Sequence, residues 1–319
     1  MIQVTVAVCV YNGADQLPQL IAALRDQHCT LPFEILVIDN NSTDGTADLV
    51  RRLANEPGNL LRLVEEREQG IPYARNRAIN SSRSSRYLAF VDVDELPAPQ
   101  WLSCAVDALE REGAECVGGE IQVRFPHARP HWLTDELLGF LGALNHGAEP
   151  FWIQKADTPV WSGNVAYRTS VFDDGLRFDV RYNRRGKGVG GGSDAIMFRS
   201  LLERKTRIRY RPDMLLEHHV EDWKLRRSYF IHLHFTAGRK HGQFQLSPPP
   251  RAVFGIAPYM IRQAATQWAR TVVQWLRRKP GVLRQAMNGA YATGIIYGRF
   301  LDWRERRRSK GGEQVHGRT

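Results

Sequence analysis

Apolar residues fall in short dense runs over the first part of the chain and in spaced stripes near its end. TVAVCVYN (residues 5–12) and FEILVIDN (33–40) are almost continuously apolar until their last positions, the pattern of strands buried on both faces of a sheet. Between them QLPQLIAALRDQ has helical periodicity, and NSTDGT (41–46) supplies Ser, Thr and Asp as caps for the helix ADLVRRLA. LLRLVEE predicts a third strand, IPYARNRAINSS a helix, YLAFVDVD (87–94) a fourth strand, and PQWLSCAVDALEREG a helix opened by Pro99. This β-α alternation predicts an α/β fold with a mostly parallel sheet flanked by helices. EIQVRF and VWSGNVAYRTSVF predict further strands, and AIMFRSLLERK one more helix.

The run SPPP (247–250) cannot continue a helix and divides the chain into residues 1–246 and a C-terminal helical extension over 247–319. In that extension Ile261, Ala265, Trp268, Val272 and Leu276 share one helical face, with Arg262, Arg270 and Arg277 on the opposite side. Such a helix suits either an anionic bilayer surface or packing against the rest of the protein. The following segment places small residues at Ala290, Gly294 and Gly298, which permits close helix packing, and is too polar and interrupted to span a membrane. RERRRSK is expected to end the ordered chain as a solvated tail or a phospholipid contact.

With 319 residues, 43% of them hydrophobic, the chain is long enough for a substantial core. Its net charge of +10 is uneven: from Trp223 onward there are 19 Lys and Arg against 3 Asp and Glu, while the first 222 residues carry 25 against 31. A basic module facing an anionic partner, membrane or nucleic acid, follows from that asymmetry. Met1 leads directly into the first strand without the basic and apolar regions of a signal peptide, so a cytoplasmic protein is expected, peripheral at the inner face of the membrane. Cys9, Cys29, Cys104 and Cys116 have no metal-ligand spacing and read as free thiols.

Candidate chemistry gathers at strand ends. In open parallel sheets ligands bind beyond the carboxyl ends of the strands. Asp39 ends FEILVIDN, and Asp92 and Asp94 end YLAFVDVD, where strand alternation would turn both toward one ion. Mg²⁺ and Mn²⁺ prefer oxygen ligands and need few protein carboxylates where phosphates complete the shell.

VAVCVYNGADQL, VIDNNSTDGT, GIPYARNRAI and AFVDVDELP together resemble, in order and spacing, glycosyltransferase family 2, the inverting group with the GT-A fold. The resemblance spans roughly residues 3–240. It implies that Tyr11 and Asn12 sandwich the nucleobase of a nucleotide-sugar donor, that Asp39 accepts a hydrogen bond from the base, that Arg75 lies near the diphosphate or steadies the acidic site, and that Asp92 lies near the ribose and metal. It further implies Asp94 as the metal ligand, for Mn²⁺ or Mg²⁺, and His218 in IRYRPDMLLEHHV as a further ligand, with His219 facing outward. In WSGNVAYR it implies that Trp161, Gly163 and Asn164 shape the donor-sugar pocket, although Trp161 could equally pack in the core. The general base falls on Asp194 in GGGSDAIMFRSLL, where Ser193 stands at a position that is commonly Glu; an N-cap role is the structural alternative.

The activity so implied is inverting transfer of a sugar, from a UDP-sugar most readily, to a polysaccharide or lipid-linked acceptor. GKGVGGG (186–192) lacks the spacing of a P-loop and suits a mobile lid. A sugar-nucleotide pyrophosphorylase is the alternative enzyme, but NGADQLPQL offers no Gly- and Lys-bearing loop for a triphosphate. A nucleic-acid-binding protein is the non-enzymatic alternative, disfavoured because the basic residues are interleaved with an apolar stripe.

Overall fold

The structure, a computed structural model, describes residues 1–183 and 188–316, with side chains to Arg308. The chain forms two compact units, one of Met1–Asp222 without Gly188–Gly191, the other of those four residues and Trp223 onward.

The first unit is built on a nine-stranded sheet. The buried apolar runs become β1 (Val4–Val10), β2 (Phe33–Asp39), β3 (Leu61–Glu65) and β4 (Tyr87–Asp92), connected by α1 (Leu17–Arg25), α2 (Thr46–Leu53) and α3 (Ile71–Ser81). Every residue of β2 is buried, as its unbroken apolarity predicts for a strand covered on both faces. These four strands pair in parallel in the order β3-β2-β1-β4. Strand order therefore reverses beside β1, where open sheets present a ligand crevice.

The second half of the sheet differs from the mostly parallel expectation. After β5 (Glu95–Pro97), α4 (Trp101–Glu110), β6 (Cys116–Arg124) and β7 (Phe151–Ile153), strand β8 (Val165–Arg168) inserts antiparallel between β4 and β6. Following α5 (Ser193–Glu203), β9 (Ile208–His219) runs parallel to β6 and antiparallel to β5 and β7. The sheet is thus mixed, because β8 enters from the opposite end to β4. Of VWSGNVAYRTSVF only Val165–Arg168 is strand; the flanks are a turn and a 3₁₀ turn, Thr169–Phe172. The β6/β9 ladder shifts register between Gly119 and Ile121, where a Cβ on Gly119 would meet the Met214 carbonyl oxygen at 1.8 Å.

The second unit contains α6 (Arg227–Phe244), α7 (Pro258–Leu276) and α8 (Val282–His316). Glycines let α6 and α8 meet backbone to backbone: a Cβ on Gly238 or Gly242 would lie 2.0 or 2.3 Å from the carbonyl oxygens of Tyr291 and Ile295, and one on Gly294 or Gly298 would lie 2.2 or 2.0 Å from those of Phe235 and Arg239. This close packing explains why the chain divides at Asp222 and Trp223 and not at the SPPP run, since α6 buries its face on α8. RERRRSK does not end the ordered chain, because α8 continues through it to His316. Among the described residues no helix is long and apolar enough to cross a membrane.

Candidate active site

The site begins with register. Val10 of β1 pairs with Asp39 of β2, and Cys9 with Asp92 of β4, so the two residues end the strands on either side of β1, whose backbones lie about 10 Å apart at ordinary strand spacing. Asp39 is buried, and its Oδ1 has no hydrogen-bond partner among the described residues. A buried carboxylate oxygen without a donor is costly, and a ligand N–H could satisfy it.

The loops above Asp39 are tied to one another. Asn12, with φ of 52°, donates its N–H to Ser42 Oγ at 2.9 Å and accepts the Thr43 N–H on Oδ1 at 2.7 Å. Asp44 accepts the N–H groups of Ala14 and Thr46 at 3.1 and 3.0 Å. Burial would raise the Asp44 carboxyl, but the Thr46 hydroxyl and these two N–H groups outweigh it and hold it below the ordinary carboxylate range. Tyr11 stands half-buried beside this loop.

Arg75 is the centre of the acidic cluster. It is 2% exposed, and its Nη2 donates to both oxygens of Asp92, at 3.0 and 3.2 Å, while Nη1 donates to Asp194 Oδ1. Burial disfavours its charge, yet Asp194 and Asp92 overcome that and raise the guanidinium above its ordinary range. Its carbon Cζ lies 5.5 Å from the Phe178 ring, which packs edge-on against Phe90 of β4. One arginine thereby joins the end of β4 to the first turn of α5. Asp194 does not cap that helix: Gly192, with φ of 97°, holds the N-cap position. Cys9 lies close to the cluster, and burial pushes its thiol up to about 12, past the opposing pull of Arg75.

Asp94 departs from the expected geometry. β4 ends at Asp92, and Val93–Asp94 form a turn, so strand alternation does not align the two carboxylates. Asp92 engages Arg75, whereas Asp94 Oδ2 lies 3.1 Å from His218 Nε2. The β5/β9 ladder brings His218 there by pairing it with Glu95, and Gly142 allows the approach because a Cβ on it would sit 2.8 Å from the His218 ring. His219 is half exposed and directed toward Glu217. Among the described residues no group of three or more His, Cys, Asp or Glu is arranged to hold a metal. One carboxylate and one imidazole fit a hard divalent cation only where ligand phosphates complete its shell.

Glu95, a third carboxylate at the end of YLAFVDVDE, was given no role from the sequence, and Asn40 and Asn76 were not singled out in it. Glu95 is buried and accepts the Asp92 N–H at 2.9 Å. Burial, then Asp92 and Asp94, push its carboxyl well above the ordinary carboxylate range. It is this carboxyl that lies against Gly163, where a Cβ would meet both oxygens at 2.6 Å. Asn40 donates to the carbonyls of Glu66 and Glu68 at 3.1 and 2.8 Å and accepts the Gly70 N–H at 2.6 Å, which sets the start of α3 and hence Arg75. Asn76 exchanges two hydrogen bonds with the Phe178 backbone, at 2.9 and 2.8 Å. The motifs VIDN and YARN contain both asparagines, and a polar residue directly beside a buried charge was the available signal.

Asn164 and Trp161 both pack toward the core. Asn164 faces inward, 1% exposed, with Oδ1 accepting from Trp101 Nε1 at 2.7 Å and Nδ2 donating to the carbonyls of Glu120 and Met214, so both of its N–H donors are committed to backbone. Trp161 is partly buried against the core. Gly186 and Lys187 of the glycine-rich run lie outside the described residues.

Comparison with known proteins gives the family and the fold. The model of glycosyl transferase family 2 matches residues 5–176. The glycosyltransferase AglE of Haloferax volcanii is 37% identical over 127 residues, which cover 39% of this chain and 41% of that protein, so the match spans well under half of the relative. The succinoglycan biosynthesis protein ExoM of Rhizobium meliloti is 23% identical over 246 residues, 76% of this chain and 75% of that one. In fold, the mannosyltransferase PcManGT of Pyrobaculum calidifontis, solved with GDP-Man and Mn²⁺, superposes over 93% of this chain and 86% of its own with a TM-score of 0.60 at 20% identity. With more than half its length matched by the family and a mixed sheet of the same fold beneath the matched motifs, the chain belongs to glycosyl transferase family 2.

Proposed function

We propose that this protein transfers a sugar from a nucleotide-diphosphate donor to a polysaccharide or lipid-linked acceptor at the membrane's inner face, with inversion at the anomeric carbon. The observation that carries the reading is Arg75 bridging Asp92 and Asp194 at the carboxyl end of the sheet, with the unpartnered Oδ1 of Asp39 at the end of β2, two strands from Asp92. Asp39 accepts an imide N–H of the base, which favours a uracil donor, while Tyr11 and the Asn12 loop cover the base. Asp94 and His218 would hold Mn²⁺ or Mg²⁺ together with the diphosphate oxygens. When bound, the metal supplies positive charge against the departing diphosphate.

Asp194 is the general base. Its Oδ1 is held by Arg75, and its side chain is one-third exposed, so the other oxygen can take the proton of an acceptor hydroxyl. As that proton leaves, the hydroxyl oxygen bonds to the anomeric carbon from the face opposite the diphosphate, and the sugar–phosphate bond breaks. The polysaccharide class of acceptor draws support from the name of the ExoM relative.

A thermal-shift screen of UDP-, dTDP- and GDP-sugars with Mn²⁺ tests this. A rise in Tm specific to one nucleotide and removed by Asp94→Ala is expected. No nucleotide-dependent rise, or one that survives the substitution unchanged, would overturn it. Asp194→Asn should keep the donor-dependent rise while lowering kcat by about 10²–10⁴.

A further inference from the structure

The apolar stripe of α7 is not the face it buries. Met260 and Ala264 are its buried residues, and Gln267 bonds Gln285 of α8, while Trp268 donates Nε1 to Thr293 at 3.0 Å. Of the face predicted to be apolar, Trp268 turns to α8 but the rest stays open: Ile261 is 58% exposed, Val272 52% and Leu276 66%, with Ala265 also exposed and Trp275, 66% exposed, beside them. At 100° per residue these positions form one strip beside the packed seam. Arg262 lies near its far edge, Arg270 and Arg277 lie on the opposite side of the helix, and Arg278 and Lys279 follow the helix end. Pro258–Lys279 contains five cations and no Asp or Glu, and among the described residues none of the five makes an ion pair.

We infer that this face of α7 is a docking surface for an anionic phospholipid bilayer. It deepens the membrane-side workplace of the proposed function. A contiguous exposed apolar strip marks an interaction surface, and a basic polar face set against apolar and Trp residues is the chemistry of a helix lying in the lipid interface. Charge decides among occupants. A second copy seated face to face would cover the strip, but its α7 brings no carboxylate to the five cations. A nucleic acid would match the arginines, but it offers no apolar counterpart for Ile261, Val272 and Leu276. Anionic headgroups pair with the arginines while acyl chains receive the strip.

The test is flotation of the full chain with phosphatidylcholine vesicles, with and without about one-third phosphatidylglycerol. Binding to the anionic vesicles only is expected, weakening from about 0.1 M to about 1 M salt. Arg262→Gln and Arg270→Gln should each weaken it by about fivefold, and the combined Ile261→Ser, Val272→Ser and Leu276→Ser variant should abolish it. The Trp275 contribution to emission, from the difference against Trp275→Phe, should shift blue on the vesicles. Equal binding to neutral vesicles, no binding, or binding that survives the serine variant overturns the inference. So does a dimer that the serine variant makes monomeric in sedimentation without vesicle binding, or retention by duplex DNA in place of vesicles. Donor-dependent Tm is read on the same proteins: it should persist in every variant, and its absence from the wild type would count against the transferase reading while leaving flotation to decide this one.

Discussion

Arg75 concentrates most of the electrostatic cost of the site in one side chain. A buried guanidinium is tolerable because two carboxylates meet it, and those carboxylates tolerate each other because it lies between them. Arg75→Ala should therefore destabilise the protein by about 3–5 kcal/mol in urea unfolding, since it leaves two like charges unpaired at the cluster. Arg75→Lys should recover only part of this, because an ammonium lacks the planar fork that reaches Asp92 and Asp194 together. Asp44 acts more modestly on the loops after β1 and β2. Its carboxyl is depressed in the folded protein relative to an ordinary value of 3.8, so its contribution is present above that pH and is lost as pH falls through the lower folded value. Asp44→Asn should cost about 0.5–1 kcal/mol at neutral pH by urea unfolding, and the gap from wild type should close under strongly acidic conditions.

Among the elements, the strands buried on both faces were plain in the sequence, because a short unbroken run of apolar and β-branched residues finds enough cover only in the middle of a sheet layered on both sides. Short or polar elements were not. β5 and β7 have three residues each, too few to carry a period, and exist because β9 is there to pair with them. α6 buries Gly238, Lys240 and Gly242 along with Phe230 and Thr236, a face that no hydrophobic periodicity announces. Its partner was foreshadowed by Gly294 and Gly298, whose missing side chains bring α8 onto α6. Gly294→Ala should lower stability by about 1–3 kcal/mol in a thermal melt, because its methyl would be 2.2 Å from the Phe235 carbonyl oxygen. Gly139→Ala, with open space around its Cβ, should change it by less than about 0.5 kcal/mol.

For the whole molecule, charge and contacts divide the chain at the same place: the acidic first unit carries every residue of the candidate site, and the basic second unit carries the α7 surface. Calorimetry with a bound nucleotide sugar and Mn²⁺ should therefore raise the transition of the first unit and leave that of the second in place; a uniform shift of a single transition would show that they unfold as one.

The order of motifs, the strand-end carboxylates and the uneven charge followed from sequence alone, since each depends on local pattern or on counting. Which carboxylate meets which partner depended on tertiary structure. One turn at Val93–Asp94 separates Asp92 from Asp94, and Arg75, from a helix distant in sequence to Asp194, closes the cluster. The same holds for α7, where periodicity identified an apolar stripe but only packing against α8 decided that Trp268 turns to α8 while Ile261, Val272 and Leu276 face outward. Periodicity records which residues share a face, whereas burial depends on what else the chain brings to that face.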